Sequence, residues 1–145
     1  MSQNIGQRTI LAFDFGTTRI GVAVGQEMLG SSTALTPIPA RDGIPNKEEL
    51  KRLIDDWQPD AFVVGIPLNM DGTESEMSRR ARKFGNRLHG QYGKPFFGMD
   101  ERGTTKQAKA IAKDLGHKGS YKDNPVDGIA AQLILDSWFE LQAQA

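Results

Sequence analysis

The chain contains no cysteine. Disulfide staples, iron–sulfur clusters, thiolate zinc sites and thiol nucleophiles are therefore excluded. Histidine is nearly as scarce: His89 and His117 are the whole supply, too few for a histidine-rich metal centre. No apolar run approaches the roughly 20 residues that cross a bilayer. Met1 to Gln7 lack the cationic and apolar parts of a signal peptide, so a cytosolic protein with no membrane partner is expected. Net charge is missing too, because 18 basic and 18 acidic residues cancel. What is present is an apolar fraction of 38% over 145 residues, enough to bury a core without staples and too much for disorder. No repeat, low-complexity run or Gly/Ser linker divides residues 1–145. A single domain is expected, with an ordered core over about residues 8–141.

The zero net charge conceals a strong asymmetry. Residues 1–76 hold 6 basic and 11 acidic residues, residues 77–122 hold 12 and 3, and residues 123–145 hold none and 4. A basic block between two acidic ones is a clue in its own right. From Met77 to Met99 the cations are Arg79, Arg80, Arg82, Lys83, Arg87 and Lys94, with no acid among them. Further on, Lys106, Lys109 and Lys113 fall at helical spacing and form one stripe. Most charge runs are solvated helix faces. Here the acids that normally interleave are missing, which favours an anionic polymer as partner.

The apolar pattern predicts strands alternating with helices. Arg8 to Phe15 contains an unbroken apolar run, as in a strand buried on both faces. Arg19 to Val24 alternates as its hairpin partner, and residues 30–38 read as a weaker strand ended by Pro37 and Pro39. Asn46 with Glu49 makes a capping box for a helix carrying Leu50, Leu53, Ile54 and Trp57. Ala61 to Ile66 is a doubly buried strand. Thr73 with Glu76 then caps a long helix with Met77, Ala81, Phe84 and Leu88 inward. Pro95 to Met99 is a further strand, and Thr104 with Gln107 opens a third helix. Asn124-Pro125 launches the last helix, with Val126, Ile129, Ala130, Leu133, Ile134 and Leu141 inward. This order fits a mixed α/β sheet with helices on both faces.

Carboxylates gather at the ends of these elements. Asp14 ends a buried strand, where a carboxylate is costly unless paired or bound to a cation; it reads equally as a cap for the Gly16-Thr17-Thr18 turn. Asp100 and Glu101 end the last strand, where surface pairing with Arg102 is the plain alternative. Asp127 lies in the first turn of the final helix, where the helix dipole alone favours an acid. Together they are hard oxygen ligands without nitrogen or sulfur, a set that suits Mg²⁺ or Mn²⁺. Such ions can activate water and stabilise the leaving oxygen in phosphodiester cleavage. Asn69, in the loop after a buried strand, is as well suited to a turn as to a substrate phosphate.

Four segments carry a family resemblance. Asp14-Phe15-Gly16 through Arg19-Ile20-Gly21-Val22-Ala23-Val24, then Val64 to Glu74, then Asp100-Glu101-Arg102, then Asp127 with Ala130-Ala131 and Leu133-Ile134-Leu135 closely resemble the bacterial YqgF family. Its members are also called Holliday-junction-resolvase-like proteins or candidate pre-16S rRNA nucleases. The resemblance spans roughly residues 8–140, with the motifs in the family's order. It implies an RNase H-like fold with a mixed five-stranded sheet flanked by helices. It implies a metal-dependent nuclease acting on structured nucleic acid, with the 5′ end of pre-16S rRNA as favoured substrate and branched DNA as the alternative. By position, Asp14 matches the first-strand catalytic acid and Asp127 the acid of the final helix. The middle acid comes from Asp100 or Glu101, since neighbours on a strand face opposite ways; Asp14, Glu101 and Asp127 form the working metal set. The nucleic acid would lie on Arg19, Asn69, Arg79, Arg80, Arg82, Lys83, Arg87, Arg102, Lys106 and Lys109, bound to a monomer or a homodimer. Two positions depart from the family's usual pattern: Gly103 replaces a bulky apolar residue, and the turn after Asp14 is Gly-Thr-Thr rather than one with a lysine.

Two other readings compete. Asp14-Phe15-Gly16-Thr17-Thr18 also resembles the phosphate-binding turn of sugar kinases, actin and Hsp70, but those proteins clasp a nucleotide between two such domains and this chain has room for one. A non-catalytic RNA-binding assembly factor could keep the fold, yet a binder has no need to collect like charges at three strand and helix ends.

Overall fold

A computed structural model describes residues 7–100 and 126–144, with the side chains of 128–143 in the last segment. Strands β1 (Thr9–Asp14), β2 (Arg19–Gln26), β3 (Ser31–Arg41) and β4 (Ile44–Pro45) come first. Helix α1 (Lys47–Trp57), β5 (Ala61–Ile66), α2 (Glu76–Tyr92), β6 (Phe96–Asp100) and α3 (Val126–Gln144) follow. The strands form one sheet in the order β4-β3-β2-β1-β5-β6. β1, β2, β3 and β4 pair antiparallel, whereas β5 and β6 run parallel to β1.

The expected five strands are thus six, and the difference comes from the two prolines. β3 does not stop at Pro37 and Pro39 but continues to Arg41. Between the pairs Ile20↔Ile38 and Val22↔Leu35 the ladder shifts, with Thr36 and Pro37 opposite Gly21 alone. Proline is tolerated at such a bulge because no ladder donor is needed there. Past the bulge, Asp42 and Gly43 adopt positive φ of 51° and 80° between the paired Arg41 and Ile44. This is the two-residue Asp-Gly turn that suits a hairpin's twist, and β4 is its return.

Alternation along the strands sorts the core onto two faces. Leu11, Phe13, Phe62, Val64 and Ile66 join Phe84 and Leu88 of α2 on one face, together with Leu50 and Ile54 of α1. Ile10, Ala12, Ala61 and Val63 pack on the other against Ile134, Leu135, Trp138 and Phe139 of α3. β1 and β5 are buried on both sides, as their unbroken apolar runs predict. The inward set expected for α3 is only partly right. Ala130 and Ile134 are buried, but Leu141 is half exposed, and Leu135, Trp138 and Phe139 fill the core instead.

Two of the expected caps can be compared. Asn46 caps α1 by accepting from the Glu49 amide at 3.0 Å. α2 starts two residues later than Thr73 suggests: Ser75 accepts from the Ser78 amide at 3.0 Å, and Ser78 Oγ accepts from the Ser75 amide at 2.6 Å. Thr73 is occupied elsewhere, its amide and hydroxyl both donating to Asp71. The Thr104–Gln107 helix and the Asn124-Pro125 cap lie outside the described residues.

Candidate nucleic-acid cleavage site

Asp14 closes β1 at the end of the sheet where β5 and β6 also finish. It pairs with Gly21 of β2, and carrying the Phe13↔Val64 register one step on sets it level with Gly65 of β5. Both lateral neighbours are therefore glycines, which present no side chain beside the carboxylate. By alternation Asp14 shares the face of Ile10 and Ala12, which α3 covers. α3 runs antiparallel to β1. Gly128 lies against Ala34 of β3, Gln132 and Asp136 bond Ser32, and Trp138 reaches Arg8 at the start of β1. The first turn of α3, which contains Asp127, thus comes to the sheet end that carries Asp14. The Asp127 side chain lies outside the described residues.

Asp100 falls on the opposite face. Its register partner is Ile66; within β6, Phe97 and Met99 pack on the α3 side and Phe96 on the α2 side, so alternation puts Asp100 with Phe96. Glu101 and Arg102 lie outside the described residues, as do Lys106 and Lys109. Among the described residues no group of three or more Asp, Glu or His is arranged to hold a metal ion.

The cations divide between the two faces. Arg19, exposed at the start of β2, alternates onto Asp14's face. On α2, Arg80, Lys83 and Arg87 recur along one flank and border a cavity of about 250 Å³. Arg79 and Arg82 lie on the exposed surface nearer the start of the helix. Two of these cations are matched by acids from elsewhere in the chain. Arg80 Nη2 donates to the Asp42 carbonyl at 2.7 Å and its carboxylate at 2.9 Å, and Arg82 Nε donates to Glu74 at 2.7 Å. The acid-free stretch from 77 to 99 is real in sequence, but folding supplies Asp42 from 38 residues away.

Asn69 is likewise engaged. Its Nδ2 donates to Thr73 Oγ1 at 3.0 Å, its amide donates to the Thr73 carbonyl, and its own carbonyl accepts from Gly72. The loop from Pro67 to Ser75 is therefore held by its own polar groups. His89 is a surface residue, with Nδ1 2.8 Å from the Lys94 carbonyl. The part of this surface that residue-by-residue reading missed is the β3–β4 hairpin. The Gly43 amide donates to Thr17 at 2.9 Å and the Ala40 amide to Thr18 at 2.8 Å, so the hairpin is fastened to the turn that follows Asp14. The Asp42-Gly43 pair was the available signal.

Comparison with known proteins gives a consistent picture. A family model named RuvX, described as Holliday junction resolvase, matches residues 8–141. A protein from Chromohalobacter salexigens described as "Putative pre-16S rRNA nuclease" is 70% identical over 134 residues, covering 92% of this chain and 90% of that one. A protein of the same description from Saccharophagus degradans is 56% identical, covering 91% and 93%. Among solved structures, T. thermophilus RuvC in complex with a Holliday junction substrate aligns with a TM-score of 0.55 at 19% identity, covering 93% of this chain and 96% of that one. The yeast mitochondrial Holliday junction resolvase Ydc2 aligns with a TM-score of 0.54 at 13% identity, covering 93% and 79%. At those identities the structures speak for the shared RNase H-like fold.

Proposed function

Since the chain belongs to the RuvX family, we propose that it is a metal-dependent nuclease that processes the 5′ end of pre-16S rRNA during ribosome biogenesis in the cytoplasm. The observation that carries this reading is Asp14: a carboxylate at the end of a buried strand, between two glycines, on the face where the start of α3 arrives. The substrate class follows the description shared by the relatives from C. salexigens and S. degradans.

The donor chemistry fits a hard divalent cation. Asp14 offers oxygen alone, and neither Gly21 nor Gly65 intrudes with a Cβ where further ligands and a phosphate would have to sit. Asp100 alternates to the α2 side, away from Asp14, so we assign the middle acid to Glu101. Asp14, Glu101 and Asp127 would hold Mg²⁺ or Mn²⁺, which when bound supplies activation of water and stabilisation of the leaving oxygen. The protein's own contribution is positional. β1, paired with β5 as far as Phe13 and with β2 through Asp14 itself, fixes the position of Asp14, and α3 is locked over the same face by Ser32 with Asp136 at 2.7 Å. Arg19, on that face, is placed to hold a neighbouring phosphate of a structured nucleic acid.

The test compares cleavage of a 5′-extended 16S precursor and a four-way DNA junction, wild type against Asp14→Asn, with Mg²⁺ or Mn²⁺. The precursor is trimmed, and Asp14→Asn lowers the rate by about 100-fold or more, since even outer partners of metal ligands cost 10–100-fold. Chelation abolishes cleavage and either ion restores it. An intact precursor under both ions refutes the proposal; cutting of the junction alone moves the substrate to branched DNA.

A further inference from the structure

The cavity beside α2 is unlike a solvated helix face. Its floor is aromatic, formed by Phe15 and the buried Phe84, whose ring centroids are 5.6 Å apart. One wall is the hairpin, with Ile44 53% exposed at the rim; the other is α2, presenting Lys83 and Arg87. Asp42 is the one acid among the described lining residues, and it is already bonded to Arg80. The cavity continues along the helix into a smaller one of about 50 Å³, where Lys47 adds a cation and Leu50, Leu88 and Tyr92 extend the apolar floor. The two make one groove, apolar at its base and cationic at its edges. Phe15 in its lining is the residue directly after Asp14.

Position and chemistry together narrow the occupant. Cations at the rim call for phosphates. A continuous duplex keeps its bases stacked inside and offers nothing to an apolar floor, whereas an unpaired strand can lay its bases on rings and aliphatic side chains. The larger cavity is slightly below the roughly 300 Å³ at which small-ligand sites begin, a volume suited to a single nucleotide unit. We propose that this groove holds a single-stranded segment of the nucleic-acid substrate adjoining the cleavage point, with its phosphates on Lys83 and Arg87 and its bases against Phe15 and Ile44. The proposal rests on the nuclease reading and gives it a direction: the strand leaves the Asp14 side of the sheet and continues onto the α2 side.

Binding is measured by fluorescence anisotropy in the Asp14→Asn background, which keeps affinity separate from cleavage. The probes are a labelled single-stranded RNA of about twelve nucleotides and a blunt duplex of the same sequence. The single strand binds more tightly than the duplex, and Ile44→Asp weakens it about 10-fold, the scale of one lost base contact. Lys83→Ala with Arg87→Ala makes the salt dependence shallower by about 1.4, two phosphates at 0.7 each. Leu141→Asp, at an exposed apolar residue far from the groove, leaves affinity unchanged. Ile44→Ser accompanies Ile44→Asp, with a thermal melt on each, so that misfolding is recognised. Equal affinity for the blunt duplex, or undiminished binding by folded Ile44→Asp, overturns the groove and leaves the nuclease reading standing. Groove binding without any cleavage by the wild type overturns the nuclease reading instead.

Discussion

Arg80 shows how a single side chain changes meaning between sequence and structure. In sequence it is one cation in an acid-free run. In the structure it grips both the carbonyl and the carboxylate of Asp42 and so holds the hairpin tip against α2. Its partner is highly exposed, which limits the ion pair itself to at most about 1 kcal/mol. Arg80→Ala therefore costs about 1 kcal/mol in a urea melt, and a double-mutant cycle with Asp42→Ala recovers a coupling of about 0.5 kcal/mol. Gly43 beside it is less forgiving. Its φ is +80°, and a Cβ there would stand 2.7 Å from the Phe15 ring and 3.2 Å from Arg80 Nη2. Gly43→Ala lowers stability by about 2 kcal/mol, combining left-handed strain with the clash. A deeper pair lies at the far end of β1, where Arg8 meets Glu27 through two bonds of 2.9 and 3.0 Å. Its guanidinium also stacks 5.2 Å from Trp138. With both side chains nearly buried, Arg8→Ala costs about 3 kcal/mol by chemical denaturation, because breaking a buried pair leaves desolvated charge behind.

At the scale of elements, Gly85 sets two known effects against each other. Glycine inside a helix costs about 1 kcal/mol relative to alanine, so Gly85→Ala should stabilise α2 if nothing lay beside it. A Cβ at that position would stand only 2.3–2.6 Å from carbons of the Phe96 ring of β6. Overpacking of this kind costs about 1–3 kcal/mol, and the clash wins: Gly85→Ala lowers the melting temperature, and Gly85→Ala with Phe96→Leu recovers part of the loss. Contacts such as this explain what the sequence makes legible and what it hides. β1, β5 and most of the stripes of α1 and α2 follow from period and apolarity because each is decided by its own residues; the exception is Trp57, expected inward at the end of α1 but 44% exposed. The start of α2 moves from Thr73 to Ser75 because Asp71 captures Thr73, a competition between two local hydrogen-bonding schemes that composition does not rank. β3 outruns its prolines because it bulges at Thr36 and Pro37 opposite Gly21 of β2, a fact of pairing that β3's own residues do not announce. The acids divide in the same way. That Asp14 ends a buried strand is evident from the run before it, but separating Asp100 from Asp14 requires the register of β6 and knowledge of which helix covers each face.

For the molecule as a whole, the sheet works as a partition. Asp14, Arg19 and the start of α3 share one side; the groove with Lys83 and Arg87 opens on the other, and the end of β1 joins them. The uneven charge along the chain is partly cancelled by folding, since Asp42 and Glu74 return to Arg80 and Arg82. Of the groove's cations, Arg80 is matched by Asp42, whereas Lys83 and Arg87 make no ion pair among the described residues.

The placement of α3 carries one more consequence. During synthesis every described strand emerges before the helix that covers Ile10, Ala12, Ala61 and Val63. Until α3 has docked, the nascent sheet has one naked apolar face and lacks the turn that bears Asp127. Docking of α3 is thus a late event in the folding of the chain, and a chain broken off before residue 126 is expected to expose that face and to bind a hydrophobic dye such as ANS. For a protein proposed to act on ribosomal precursors, and itself made on ribosomes, that ordering works as a safety catch.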